Sequence, residues 1–176
     1  MKACFIGHRT IQKNEELIFS LRQTIIELIN KGVDTFLFGS MSEFDDLSWE
    51  VVTGIREKYP HIKRVYVRAT YQHIDKSYEN YLLKSYEETY FPTNIENAGK
   101  GSYIERNYEM INRSAYCIFY YNKDYVAPIT QRQNMITTFE RNSGTKIAYD
   151  YAIKKNKTII NLYNLSECAG VKIKKG

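Results

Sequence analysis

The residues best suited to hold an anion form a short polar run, Ser143-Gly144-Thr145, directly before a helix-like segment. A helix N-terminus presents unpaired N–H groups and the positive end of the helix dipole. Gly144 leaves the backbone open to a ligand, and the two hydroxyls are further donors. The run predicts either a phosphate site or an ordinary helix cap, since Ser and Thr are common N-caps. No Gly-Lys-Ser/Thr follows a glycine-rich run, so it is not a Walker P-loop.

A second polar run, Gly7-His8-Arg9, follows the first predicted strand directly. Arg9 can bind a phosphate through two parallel hydrogen bonds, and His8 can hydrogen-bond a ligand or stack on it. The alternative is a surface turn. Its position after a strand favours a ligand-binding role for all three residues.

The third run follows the second predicted strand and contains Gly39, Ser40 and Asp45. The glycine and serine form a tight turn, and Asp45 can accept hydrogen bonds from a ribose. Glu43 and Glu50 are the candidate catalytic carboxylates, because either can act as a general base or stabilise a sugar cation. The alternative is that Asp45 caps a helix and Glu50 is solvated.

Two arginines lie in a later helix-like segment. Arg106 falls in its first turns, near the predicted ligand edge, and we expect it to bind phosphate. Arg113 falls at the far end, where a cation complements the helix dipole, and we expect a structural role.

The elements that must position these residues alternate between strands and helices. Apolar spacing predicts strands at 2–6, 34–38, 63–69, 115–121 and 157–163, and helices at 14–31, 44–58, 75–88 and 102–113, the last with Ser102 and Glu105 as a capping box. This alternation predicts an α/β fold, a Rossmann-like three-layer sandwich with a mostly parallel sheet, as one domain over 1–176. The loops 7–10, 39–45 and 122–145 should share its carboxyl edge, where such sheets bind ligands.

Composition narrows the class of partner. The net charge of +5 favours anionic ligands. Sixteen tyrosines suit interfaces and base stacking, although compositional bias explains them equally well. Cys4, Cys117 and Cys168 lack metal-ligand spacing and suggest reduced thiols, and His8, His61 and His73 are scattered, so we expect no metal site. We expect no cofactor either. No apolar run approaches the roughly 20 residues of a membrane span, and we expect a cytoplasmic protein without membrane contact.

Taken in order, the segments "CFIGHR", "FGSMSEFDDLSWEVV", "RNYEMINRSAYCIFYYN" and "SGTKIAYDYAIKKNKTIINL" resemble the bacterial SLOG superfamily. More narrowly, they are similar to its uncharacterised members whose first strand ends in Gly-His-Arg. The superfamily is named for its similarity to DNA-processing protein A and the Lonely Guy cytokinin-activating enzymes. The resemblance implies a Rossmann-like fold, a site for nucleotides or nucleotide-derived ligands, and frequent self-association. Some relatives hydrolyse the N-glycosidic bond of a nucleoside monophosphate, whereas others only bind a nucleotide-like signal or nucleic acid.

The sequence departs from the hydrolases at their catalytic acid. Lonely Guy enzymes carry Pro-Gly-Gly-x-Gly-Thr-x-x-Glu; here Gly144 and Thr145 match, but Ala148 stands in place of the glutamate. Glu43 also replaces a glycine of the second turn. The leading hypothesis is therefore binding or sensing of a phosphorylated nucleotide-like ligand, and whether the protein is an enzyme stays open. The alternatives are an N-glycoside hydrolase or transferase and, last, single-stranded nucleic-acid binding. We also expect a homo-oligomer, paired through the tyrosine-rich segment 75–90.

Overall fold

The computed structural model describes residues 1–97, 99–126 and 143–163. They form six strands, β1 Lys2–Gly7, β2 Thr35–Phe38, β3 Lys63–Val67, β4 Glu88–Tyr90, β5 Tyr116–Tyr120 and β6 Thr158–Asn161. The helices between them are α1 Glu15–Asn30, α2 Glu43–Arg56, α3 Lys76–Leu82, α4 Lys100–Arg113 and α5 Gly144–Lys154.

All the strand pairs are parallel, and the sheet order is β4-β3-β2-β1-β5-β6. The chain builds outward from β1 to β4 and then crosses back to place β5 on the other side of β1. The strand order therefore reverses between β1 and β5, the position at which open α/β sheets bind ligands. The α/β prediction with a mostly parallel sheet is confirmed.

The two faces of the sheet bury separate apolar layers because alternate residues of a strand point to opposite faces. On β1, Phe5 lies in the core beneath α1 and α2, whereas Cys4 and Ile6 lie in the core beneath α4 and α5. The second layer is thinner, and its helices contribute residues that include Met110 and Ala148. The fold is thus the three-layer sandwich that the sequence predicts.

The predicted helix over 75–88 is wrong in its second half. Helix α3 ends at Leu82, and Glu88–Tyr90 instead forms the edge strand β4 beside β3. A three-residue strand is too short to show alternation in the sequence. Long-range ion pairs fix its approach, because Glu87 binds Arg64 and Arg56 at 2.7 and 2.8 Å.

The predicted capping box at the start of α4 is also wrong. The helix begins two residues earlier, at Lys100, so Ser102 lies within its first turn and donates a hydrogen bond to the Gly99 carbonyl at 2.8 Å. Glu105 accepts instead from the N–H groups of Glu96 and Asn97, which precede the helix. Across the described ranges, no helix is long and apolar enough to cross a membrane.

Candidate functional site

The first turn of α5 lies at the point where the strand order reverses. The Thr145 hydroxyl donates to the Gly7 carbonyl at 2.9 Å, which holds the start of α5 against the end of β1. The Ser143 side chain caps the helix by accepting from the Lys146 N–H at 3.1 Å. Within the described part of the chain, the N–H groups of Gly144 and Thr145 have no hydrogen-bond partner. Among the described residues, a Cβ atom on Gly144 would meet no packing partner within 4 Å, so their packing does not require a glycine there.

His8 is buried beside this turn, with 1% of its surface exposed. Its ring stacks on Tyr125 with centroids 3.8 Å apart, and its Nε2 lies 2.9 Å from the Asn122 N and 3.0 Å from the Asn122 carbonyl oxygen. Either tautomer engages Nε2 with Asn122 and leaves Nδ1 without a partner among the described residues. Burial lowers the pKa of His8 to about 4, so the ring is neutral near pH 7.

The loop after β1 is tied to the start of α2. The Glu43 N–H donates to the Arg9 carbonyl at 2.9 Å, and the Glu43 carboxylate accepts from the Ile11 N–H at 2.9 Å. The Arg9 side chain is exposed and forms no ion pair within the described ranges. Glu50 is exposed and pairs with Lys13 at 2.9 Å. The structure thus engages both candidate catalytic carboxylates with this loop or with solvent, and their catalytic role stays a prediction.

Asp45 and Arg106 both form hydrogen bonds with the backbone of the turn after β2. The buried Asp45 carboxylate accepts from the N–H groups of Gly39 and Ser40 at 3.3 and 2.5 Å. The buried Arg106 guanidinium donates to the Gly39 carbonyl and, at 3.2 Å, to Asn107. Burial raises the pKa of Asp45 to about 6, although the charge of Arg106 opposes that rise. Burial also lowers the pKa of Arg106.

Two of the predicted ligand-binding glycines have a packing explanation. A Cβ on Gly7 would lie 2.5 Å from the Phe44 side chain, and a Cβ on Gly39 would lie 2.5 Å from the Arg106 guanidinium carbon. Such contacts are far shorter than packed atoms allow. Glycine at these positions therefore lets α2 and Arg106 approach the strand ends, whereas the part of the chain that the structure describes gives no such explanation for Gly144.

Three exposed tyrosines lie in the segment that follows β3 and in helix α3. This tyrosine surface consists of Tyr71, Tyr78 and Tyr81, and the last two rings stack with centroids 6.2 Å apart. Tyr71 and Tyr81 are 71% and 65% exposed. Arg68 follows β3 directly and donates to the Tyr71 carbonyl at 2.5 Å, and its charge interacts with Tyr78. A cation thus lies beside the Tyr71 backbone and close enough to Tyr78 for their charges to interact.

Comparison with known proteins identifies the fold but no family. No protein-family description and no curated protein matches the chain. Among solved structures, DNA processing protein A from Helicobacter pylori is similar, with a TM-score of 0.53 over 97% of this chain and 73% of that chain. The two sequences are 16% identical, and that structure was reported for the protein's single-stranded DNA binding mode. A likeness at this identity shows a shared Rossmann-like fold.

Sequence reasoning missed several residues of this region. Asn122 had a signal, because it is polar and directly follows β5 at the carboxyl edge. Tyr125, which covers His8, had none. Residues 127–142, most of the third predicted loop, and Cys168 lie outside the described residues.

Two concave regions of the surface lie away from this edge. One, of about 490 Å³, is lined at the amino ends of the strands by residues that include Lys2, Thr35 and Lys63. The other, of about 480 Å³, lies on α1 beside Phe19 and Ile160.

Proposed function

We propose that this protein binds a nucleotide or nucleotide-derived ligand whose phosphate lies at the N-terminus of α5. One observation carries the proposal: at the reversal of strand order, α5 begins at Gly144 with two N–H groups that find no partner among the described residues, whose packing does not require a glycine there. Unpaired helix donors and the helix dipole together favour an anion. Arg9 would add a free cation and His8 Nδ1 a polar atom still to be partnered.

Several of the residues predicted to bind the ligand already bond within the protein. The Ser143 oxygen accepts from the helix, which leaves its hydrogen free to donate, and the Thr145 hydroxyl donates to Gly7. The proposal therefore assigns the phosphate to the backbone of Gly144 and Thr145 first, with Ser143 as a side-chain donor.

We also propose that the chain is a member of the SLOG superfamily. The ordered Gly-His-Arg and Ser-Gly-Thr motifs support this assignment, and so does the fold shared with DNA processing protein A. The relevant difference from the hydrolases is Ala148, which is 1% exposed and packs in the core beneath α4 and α5. With no acid at that position, binding or sensing is favoured over cleavage of an N-glycosidic bond.

Isothermal titration calorimetry against a panel of nucleoside monophosphates, NAD and ADP-ribose tests the proposal. Gly144→Glu places a carboxylate where the phosphate would lie, yet an acidic residue in a first helical turn favours the helix by about 0.3–1 kcal/mol. We expect this variant to keep its thermal stability and to lose at least tenfold in affinity. Gly54→Glu is the matched control, because Gly54 is also an exposed helical glycine with open space around it.

Two results would count against this assignment. Absence of binding to every member of the panel removes the nucleotide proposal. If the Gly144→Glu and Gly54→Glu variants bind with equal affinity, the phosphate does not lie at the N-terminus of α5. Release of free base from a nucleoside monophosphate in the same samples, abolished by Glu50→Gln or Glu43→Gln, would establish the hydrolase alternative.

A second candidate function, single-stranded nucleic-acid binding, is favoured by the tyrosine surface. Proteins that hold single strands combine a cationic path for the backbone with aromatic rings on which bases stack. Arg68 and the three exposed rings supply both components at the carboxyl edge. The similar Helicobacter protein binds single-stranded DNA, which supports this candidate without assigning the same surface.

A further inference from the structure

Two buried cysteines lie side by side in the middle of the sheet. Cys4 of β1 and Cys117 of β5 are register partners on neighbouring strands, and both side chains belong to the core beneath α4 and α5. Neighbouring strands lie roughly 4.8 Å apart, which is within the range of Cα separations that a disulfide bridges. Both thiols are free, and they hydrogen-bond to each other. The pair therefore meets the distance requirement for a disulfide between β1 and β5.

A lysine lies close to this thiol pair. The ammonium of Lys157, which precedes β6, donates to the carbonyl oxygens of Asn112 and Ser114, both at 2.9 Å. These bonds hold the ammonium beside the start of β5, and its charge acts on both sulfur atoms. A fixed cation beside a thiol favours the thiolate, which is the reactive form of cysteine. Because the same two bonds satisfy carbonyls at the end of α4, only a variant that alters the charge separates the two roles of Lys157.

The two thiols differ in how readily they lose a proton. The hydrogen bond from Cys4 and the charge of Lys157 lower the pKa of Cys117, although burial acts in the opposite direction. Burial raises the pKa of Cys4 well above its ordinary value. Cys117 is thus the thiol that ionises first, with Cys4 as the proton donor beside it. Tyr90 of β4 also interacts with Cys4, but burial raises the pKa of Tyr90 to about 12, so its hydroxyl stays neutral where thiols titrate.

We propose that Cys4 and Cys117 form a peroxide-sensitive dithiol, in which Cys117 is oxidised first and Cys4 then completes a disulfide between β1 and β5. Lys157 is a positioning residue that stabilises the Cys117 thiolate. A hydroperoxide is the oxidant, because a small neutral molecule reaches a buried thiol through local opening of the structure. The inference does not depend on the proposed nucleotide site.

The reaction has two steps. The Cys117 thiolate attacks one oxygen of hydrogen peroxide, so that an S–O bond forms, the O–O bond breaks, and hydroxide leaves and takes up a proton to become water. The Cys4 sulfur then attacks the sulfenic sulfur of Cys117, an S–S bond forms and the S–O bond breaks. The departing oxygen takes the Cys4 proton and leaves as a second water. The two thiols together lose two electrons, which reduce the peroxide.

Mass spectrometry of the folded Cys168→Ser protein after treatment with hydrogen peroxide tests the pair directly. This background leaves Cys4 and Cys117 as the two cysteines of the chain. We expect a product that is lighter by two hydrogen atoms, resists alkylation in denaturant and yields a tryptic peptide 3–9 linked to peptide 114–123. The disulfide joins positions that are far apart in the chain, so it should restrict the unfolded state and raise the thermal midpoint. If the folded protein keeps both free thiols while the urea-unfolded protein is oxidised, the proposal is overturned.

Single-cysteine variants in the same background assign the order of the two steps. In Cys4→Ser, Cys117 should stop at the sulfenic acid, which a 1,3-diketone reagent traps, because no second thiol is left to displace water. In Cys117→Ser, we expect trapping of Cys4 to be roughly tenfold slower, since its thiol stays protonated. Equal rates of trapping in the two variants would show that Cys117 is not activated and would overturn the assigned order.

Variants of Lys157 separate its charge from its structural bonds. In Lys157→Met, we expect the pH at which disulfide formation reaches half its maximal rate to rise, whereas Lys157→Arg should keep the parental pH profile. Lys154→Met is the matched control, because Lys154 is an exposed cation in the last turn of α5, and its profile should stay parental. If Lys157→Met changes the rate equally at every pH, or not at all, Lys157 does not stabilise the thiolate and its assigned role is wrong.

Discussion

Two buried titratable side chains at the carboxyl edge have their pKa values moved in opposite directions. Burial holds the pKa of His8 down at about 4 and that of Asp45 up at about 6. In both cases the charged form is disfavoured because water is excluded. Each residue compensates part of this cost by bonding to the backbone, His8 to Asn122 and Asp45 to the 39–40 turn.

These values predict opposite contributions to stability between about pH 4 and pH 6.5. Asp45 in the unfolded chain loses its proton near its ordinary pKa of 3.8, whereas in the folded protein it stays protonated up to about pH 6. The contribution of Asp45 to stability therefore falls as the pH rises towards about 6. His8 in the unfolded chain becomes protonated below its ordinary pKa of 6.5, whereas in the folded protein it stays neutral down to about pH 4. The contribution of His8 to stability therefore falls as the pH drops towards about 4. A pKa that differs by about two between the folded and the unfolded state corresponds to a change in stability of roughly 3 kcal/mol at most.

Urea denaturation across this pH range measures the balance. Relative to the parent, Asp45→Asn should become more stable with rising pH, because only the histidine term remains. His8→Gln should become less stable with rising pH. If both variants follow the parental pH profile within error, burial does not move the pKa values of His8 and Asp45 as described.

For single residues, the sequence predicted where polar side chains lie better than which groups they hydrogen-bond to. The Ser143 run was predicted as either a cap or a phosphate site, and its serine is a cap, while the backbone donors of the next two residues have no partner in the described ranges. Asp45 was correctly placed near the start of a helix, but its bonds to the Gly39 and Ser40 backbone depend on a turn with positive φ. Nothing in the residue types Ser and Met signals that conformation.

Among the elements, the approach of α2 to β1 depends on one glycine. The Phe44 side chain is fully buried and occupies the space where a Cβ of Gly7 would lie. We expect Gly7→Ala to lower the free energy of unfolding by about 1–3 kcal/mol, as for other overpacked cores. Chemical denaturation measures the effect, with Gly54→Ala as control; that change should be neutral or stabilising by up to about 1 kcal/mol. Equal stabilities of the two variants would show that α2 shifts freely away from β1.

The elements were predictable where their apolar period is long. Helix α1 repeats its buried leucines and isoleucines over four turns, and β5 is a continuous apolar run, so both were found within two residues of their bounds. The edge strand β4 has three residues and no such period. Its place is set by pairing with β3 and by the ion pairs of Glu87, which a local pattern does not contain.

At the scale of the whole molecule, the parallel sheet places the polar residues that follow its strands at one edge. Every strand ends there, so the turns after β1 and β2, the segment after β3 that carries Tyr71 and the start of α5 share a single border of the sheet. The two faces are occupied by helices and are filled by apolar side chains. The net charge of +5 favours attraction to polyanions in general.

Variants of the tyrosine surface can distinguish nucleic-acid binding from subunit pairing. If it stacks bases, a labelled single-stranded oligonucleotide should bind with an affinity that falls steeply as salt rises. Tyr81→Ser should then weaken binding by about 1–3 kcal/mol, the range for one base stacked on an aromatic ring. Phe19→Ser is the matched control, because Phe19 is 63% exposed on α1 and lies outside the carboxyl edge.

Light scattering on the same variants distinguishes the partner. A dimer that Tyr81→Ser converts to a monomer, with oligonucleotide affinity unchanged, would make these rings a subunit interface, as the tyrosine-rich segment predicts. Loss of oligonucleotide affinity with no change in mass would make them a base-stacking platform. Because stacked bases and a second α3 would cover the same exposed rings, Tyr71 and Tyr81, an oligonucleotide that dissociates the dimer would show that the two partners compete for one surface.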